Sequence, residues 1–148
     1  MISVAFQIDG LKELQDELKQ LPYRAERRVL RNAGVSAMRE ARKVLIKAAP
    51  TYNGTRHQGM GSFRYGPLKK AIKVGKPFVG HRVVGAKVST GEGFWGYFIE
   101  KGTRYHSPAP WFDPAFDAAR GMVGSKWKQT AERGLKREFE KIERRVRR

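Results

Sequence analysis

Residues 97–116 read YFIEKGTRYHSPAPWFDPAF. An apolar run stops at Glu100-Lys101-Gly102-Thr103, and three prolines, Pro108, Pro110 and Pro114, come before a helical pattern is established. Gly102 suits a positive φ that ends the run, and Thr103 suits a local side-chain bond to the turn backbone. Pro108 and Pro110 remove backbone donors and hold the chain extended, which pushes Ser107 and Ala109 out of helical geometry. Trp111 and Phe112 anchor the exit, and Asp113-Pro114 reads as a helix cap followed by proline at the first helical position. The stretch predicts a stiff corner that aims a helix at a fixed angle from a strand. Its structural residues are Glu100, Gly102, Thr103, Pro108, Pro110, Trp111 and Pro114. The plainer reading is a well-packed strand-to-helix connection.

Downstream of the corner, Phe112, Ala115, Phe116, Ala119 and Val123 recur at helical spacing, as do Trp127, Ala131, Leu135, Phe139, Ile142 and Val146, with Gly121 and Gly124 expected to break or loosen the helix between them. Upstream, residues 68–75, 78–89 and 93–100 read as three strands, the last apolar on both faces as in a central or covered strand. Residues 3–8 alternate as a half-buried strand, and Asp9 is placed to cap a short helix carrying Leu11, Leu14, Leu18 and Leu21 up to Pro22. Residues 23–49 form the longest periodic segment. Its stripe is Val29, Ala33, Ala37, Ala41, Val44 and Ala48, widened by Leu30, Met38 and Leu45. The expected architecture is a single α+β domain over residues 1–148. An antiparallel sheet of about four strands is packed by a long Ala/Arg-rich helix and a C-terminal helix, with a glycine-rich loop at 51–66 and a basic helical extension at 125–148.

The charge is +17, and it is uneven: residues 51–91 hold eight basic side chains and no acid, and residues 123–148 hold ten against four. Such a chain favours polyanions or acidic protein faces. There is no cysteine, which removes disulfides and thiolate chemistry. No run reaches the ~20 apolar residues of a membrane span, and the first ten residues lack the pattern of a signal peptide, so an intracellular soluble protein is expected when the chain is made.

Four motifs in order are similar to those of the minor tail-component family of long-tailed bacteriophages, also described as tail-completion or head–tail neck proteins. Gly10, Glu13, Leu14, Leu18, Leu21 and Pro22 match its opening helix, and 49–54 (APTYNG) match the end of its long basic helix. Residues 97–103 (YFIEKGT) match a strand ending in E-x-G-T, and 110–115 (PWFDPA) match the corner that opens its last helix. The loop at 57–65 is longer and more aromatic and basic than the family pattern. The resemblance implies a non-enzymatic virion protein assembled in the host bacterial cytoplasm. Its partners would be itself, as a homo-oligomeric ring expected to be a hexamer, and the neighbouring neck and tail-tube proteins, with non-specific contact to packaged DNA and no membrane or cofactor.

Trp95, Tyr97, Arg56, His57 and Arg64 are the candidate assembly residues, and Lys69, Lys70, Lys73, Lys76, Arg82 and Lys87 the candidate DNA-facing ones. Those six cations, with Phe63, Tyr65 and Phe78 nearby, also support the alternative of a free-standing nucleic-acid-binding protein. An enzyme is disfavoured: His57, His81 and His106 have no metal spacing, and no phosphate loop or nucleophile elbow is present. Glu100 beside His106 suits an acid–base pair less well than a carboxylate capping the turn or meeting Arg104. A membrane-surface role for 134–148 is the remaining reading.

Overall fold

The computed structural model describes residues 12–51, 68–79, 84–91, 93–105 and 107–147. The expected strand at 3–8 and loop at 52–66, with Arg56, His57, Arg64, His81, Arg82 and His106, lie outside the described residues.

The described chain is mostly helical: α1 (Lys12–Lys19), α2 (Tyr23–Ala48), α3 (Leu68–Ala71), α4 (Trp95–Lys101) and α5 (Phe112–Val146), with four two-residue strands between α3 and α4. Its frame is the antiparallel pair α2–α5. Arg28 reaches Glu138, Val29 faces Gly134 and Ser36 meets Thr130, so the two helices run past each other in opposite senses. The reason they fit is a step of four residues. Ala25, Val29, Ala33, Ala37, Ala41 and Leu45 are buried on α2, and Ala115, Ala119, Val123, Ala131 and Leu135 on α5, with Trp127 half-buried in the same row. Rows of this spacing are the ridges that interdigitate when helices pack, and alanine lets them approach closely. Because a helix turns about 100° per residue, each step of four advances the stripe by about 40°. The buried line of α2 therefore winds about 200° around the helix from Ala25 to Leu45. Ala48, expected in the stripe, is exposed, and Ala49 is buried in its place.

That winding gives α2 two sets of neighbours. Its first half packs with Leu14, Leu18 and Leu21 from α1 and its following turn, and with Ala131 and Leu135. Its second half packs with Leu68, Ile72, Val88, Phe112, Phe116, Ala119 and Val123. Trp127 lies against both clusters.

The expected four-stranded sheet is corrected on three counts. Residues 68–75 begin with one helical turn, α3, before β1 (Lys73–Val74). Residues 78–89 are three pieces, β2 (Phe78–Val79), β3 (Val84–Gly85) and β4 (Val88–Ser89). Lys73 pairs with Ser89 and Val74 with Val88, whereas Phe78 pairs with Gly85 and Val79 with Val84, all antiparallel. Four steps from Val74 to Phe78 thus match three from Val88 to Gly85, which makes the two sheets one ribbon with an extra residue on its outgoing arm, where Pro77 has no N–H to donate. Arg42 Nε donates to Ile72 O at 2.8 Å and ties the ribbon to α2.

The third correction is that 93–100 is not a strand but helix α4. Gly96 and Glu100 are buried one turn apart, and a Cβ on Gly96 would stand 2.9 Å from Leu68 Cδ1 and 3.3 Å from Trp111. Phe94, Tyr97 and Phe98 are exposed on the other side. A run apolar on both faces of a strand is equally a helix with a packed side and a bare aromatic side, and packing on α3 selects the helix.

Gly121 and Gly124 do not interrupt α5, which is continuous over 35 residues. Nothing lies within 4 Å of a Cβ built on either. Gly121→Ala and Gly124→Ala are each expected to raise stability by about 0.5–1 kcal/mol, because alanine lowers the entropy lost on forming a helix. Gly134→Ala, whose Cβ would meet Val29 Cγ1 at 2.9 Å, is expected to do the opposite. Urea midpoints of the three variants test the contrast.

Candidate functional site: the corner joining α4 and α5

A helix start leaves its first N–H groups without intrahelical partners. At α5 these are the amides of Trp111, Phe112 and Asp113, since Pro114 has none. All three donate to one carboxylate. Glu100 Oε2 accepts from Trp111 N at 2.6 Å and Phe112 N at 2.8 Å, and Oε1 accepts from Asp113 N at 3.3 Å. The expected cap, Asp113, is instead inside the first turn, and the residue at the cap position, Trp111, makes no side-chain capping bond. Pro114 stands third in the helix, not first. A carboxylate eleven residues upstream replaces the local cap, and its charge lies at the positive end of the longest helix in the described chain.

Glu100 does not meet Arg104. It is 2% exposed, and both oxygens accept from α5 amides, so it acts as a structural acceptor. Around it, Trp111 Nε1 donates to Gly96 O at 3.2 Å and Ala109 N to Ile99 O at 2.9 Å. Gly102 turns the chain with φ 76°, a value that favours glycine, and Thr103 Oγ1 accepts from Tyr105 N. Phe112 stacks on Phe116 and meets Trp111 edge-on, their ring centroids 6.5 and 5.4 Å apart. The Lys101–Asp113 pair at 3.2 Å is half exposed and adds little. Pro108 and Pro110 are exposed in a segment without regular secondary structure.

The outer side of α4 was only partly anticipated. Tyr97 is 44% exposed, but Trp95 is half-buried against the core, and the exposed face is completed by Phe94 and Phe98. Phe98 meets Phe94 and Tyr97 edge-on. The signal that identifies them is the spacing 94, 97, 98, one side of a helix. Helix α4 itself carries a single cation, Lys101, in a chain of charge +17.

The candidate DNA-facing lysines are brought together. Lys69 and Lys70 lie on α3, Lys73 on β1 and Lys76 beyond it, and the Lys87 side chain covers Gly75. None of the five has a carboxylate partner among the described residues.

Among the described residues no helix is long and apolar enough to cross a membrane, and no group of three or more His, Asp or Glu side chains could hold a metal ion. No family model, curated protein or solved structure matches the chain, so the tail-component resemblance stands on its four sequence motifs alone.

Proposed function

We propose that the chain is a structural virion subunit of a tailed phage, joining or completing the neck or tail as a member of a homo-oligomeric ring. The single observation that supports this reading is the welded corner. A buried carboxylate fixes α4 to α5 and thereby presents Phe94, Tyr97 and Phe98 on a surface that does not yield. Rigidity beside part-exposed aromatic area suits a contact made repeatedly between identical copies, since aromatic side chains dominate interface energetics and preformed surfaces lose less entropy on binding. Head-to-tail contacts of that kind close into rings when the rotation permits. The neighbours in the neck and tail tube, and the placement in a virion, follow from the motif resemblance.

The test is the oligomeric state of the purified chain and its presence in particles. Wild type is expected to sediment as a multimer, and Tyr97→Asp/Phe98→Asp to sediment as a monomer that keeps its helical circular-dichroism spectrum and unfolds cooperatively, with the melting temperature lower only by what assembly contributes. A strictly monomeric wild type absent from virions overturns the proposal. A free-standing nucleic-acid-binding protein is the second reading, favoured by the five lysines that the α3–ribbon unit gathers without carboxylate partners.

A further inference from the structure

We infer that the end of the molecule where α2 begins and α5 finishes is a second docking surface, and that its partner is the phosphate backbone of a nucleic acid. The surface is built by both helices. Arg24, Arg28 and Arg31 fall within about 60° on α2, and Arg137, Lys141 and Arg144 fall within about 60° on α5. Arg28 meets Glu138 at 3.8 Å and Lys141 meets it at 2.8 Å, which joins the two rows across the helix pair. Lys141, Arg28 and Arg145 together hold the Glu138 carboxyl below the ordinary range, against a smaller opposing effect of burial. One partly buried carboxylate therefore organises cations from two helices. α1 and its leucines pack with Leu30 and Phe139, whereas Arg24, Arg28, Arg31, Arg137, Lys141 and Arg144 are all exposed.

Stability does not explain the arrangement. Arg24 and Arg28 occupy the first two turns of α2, where the helix dipole disfavours cations. Arg24–Arg28, Arg137–Lys141 and Lys141–Arg145 are like charges four residues apart, a spacing that costs stability in an isolated helix. The cost disappears when an external polyanion lies along the face. Arginine predominates, and its planar fork grips phosphate oxygens with two parallel bonds. A membrane surface fits poorly, because Leu135, Phe139 and Ile142 of α5 are turned into the core and are not available to enter lipid. Arg24, Arg31, Arg137 and Arg144 have no carboxylate partner among the described residues, so they are the cations to test.

The inference is independent of ring assembly, which is read from sedimentation. The probe is a mixed-sequence DNA duplex of ~20 base pairs, titrated with the full-length chain across a salt series. Two variants lose the same charge: R24Q/R31Q/R137Q/R144Q on the helix pair, and K69Q/K70Q/K73Q/K76Q on the α3–ribbon unit. Wild-type affinity is expected to fall linearly on a log–log plot against salt, by ~0.9 per phosphate contacted. The arginine variant is expected to flatten that slope by about 3 and to weaken low-salt binding at least tenfold, while the lysine variant changes the slope by less than about 1. Both should melt as wild type does. No duplex binding by wild type at 50 mM salt (roughly the low end of the usual range) overturns the inference, as does an equal or larger effect of the lysine variant. Tighter capture by phosphatidylglycerol vesicles than by duplex assigns the face to a membrane and overturns it also.

Discussion

Glu100→Ala is expected to remove about 3–5 kcal/mol of stability, because it strands the buried amides of Trp111 and Phe112 at about 1–3 kcal/mol each and opens Asp113 as well. Domains of this size are stable by only about 5–15 kcal/mol, so the variant should stand near the edge of folding. Glu100→Gln keeps one carbonyl acceptor for Trp111 and Phe112 but turns an NH2 toward Asp113, and about half the loss is expected. Denaturant unfolding followed by circular dichroism measures both, and amide exchange at Trp111 and Phe112 should accelerate specifically. A loss below about 1 kcal/mol in the alanine variant would show that water or a local side chain caps α5 equally well.

Phe112→Ala carries the second large effect, about 3–5 kcal/mol. Its ring is fully buried, stacked parallel to Phe116 and edge-on to Trp111, at the point where the α2–α5 core meets the corner. Phe112→Leu keeps most of the volume and is expected to cost less than about 1.5 kcal/mol. Tyr97→Ala, on the exposed side of α4, should leave the isolated chain within about 0.5 kcal/mol of wild type. If Phe112→Ala and Tyr97→Ala prove alike in a melting experiment, the inward and outward sides of the corner have been misassigned.

The long helices were legible because their signal is local and long. Leu14, Leu18 and Leu21 face one way, and the alanine row of α2 repeats over more than five turns. The break between Lys101 and Phe112 was legible for a similar reason, since Gly102 and the prolines constrain their own backbone. What misled was every point at which a distant group overrode a local pattern. Asp113-Pro114 has the form of a cap, yet Glu100 reaches the same amides from another element. Residues 93–100 are rich in β-forming aromatics, yet Leu68 and Trp111 close on Gly96 and a helix results. Gly121 and Gly124 would break an isolated helix, but packing of Ala119, Val123 and Trp127 on both sides carries α5 through. The ribbon was read as longer strands because two-residue pairings carry too few residues to show a period.

At about 1.5 Å per residue α5 is a rod of about 52 Å. The aromatic side of α4 is fastened at one end of that rod and the arginine rows stand at the other, so any tilt at the joint is magnified along its length. A rotation of about 5° would carry the far end some 4–5 Å, more than the pitch tolerance of a close contact between neighbours. Three hydrogen bonds on one carboxylate therefore act as an angular stop for a lever, and softening them should spoil the spatial relation of two remote surfaces before it unfolds either.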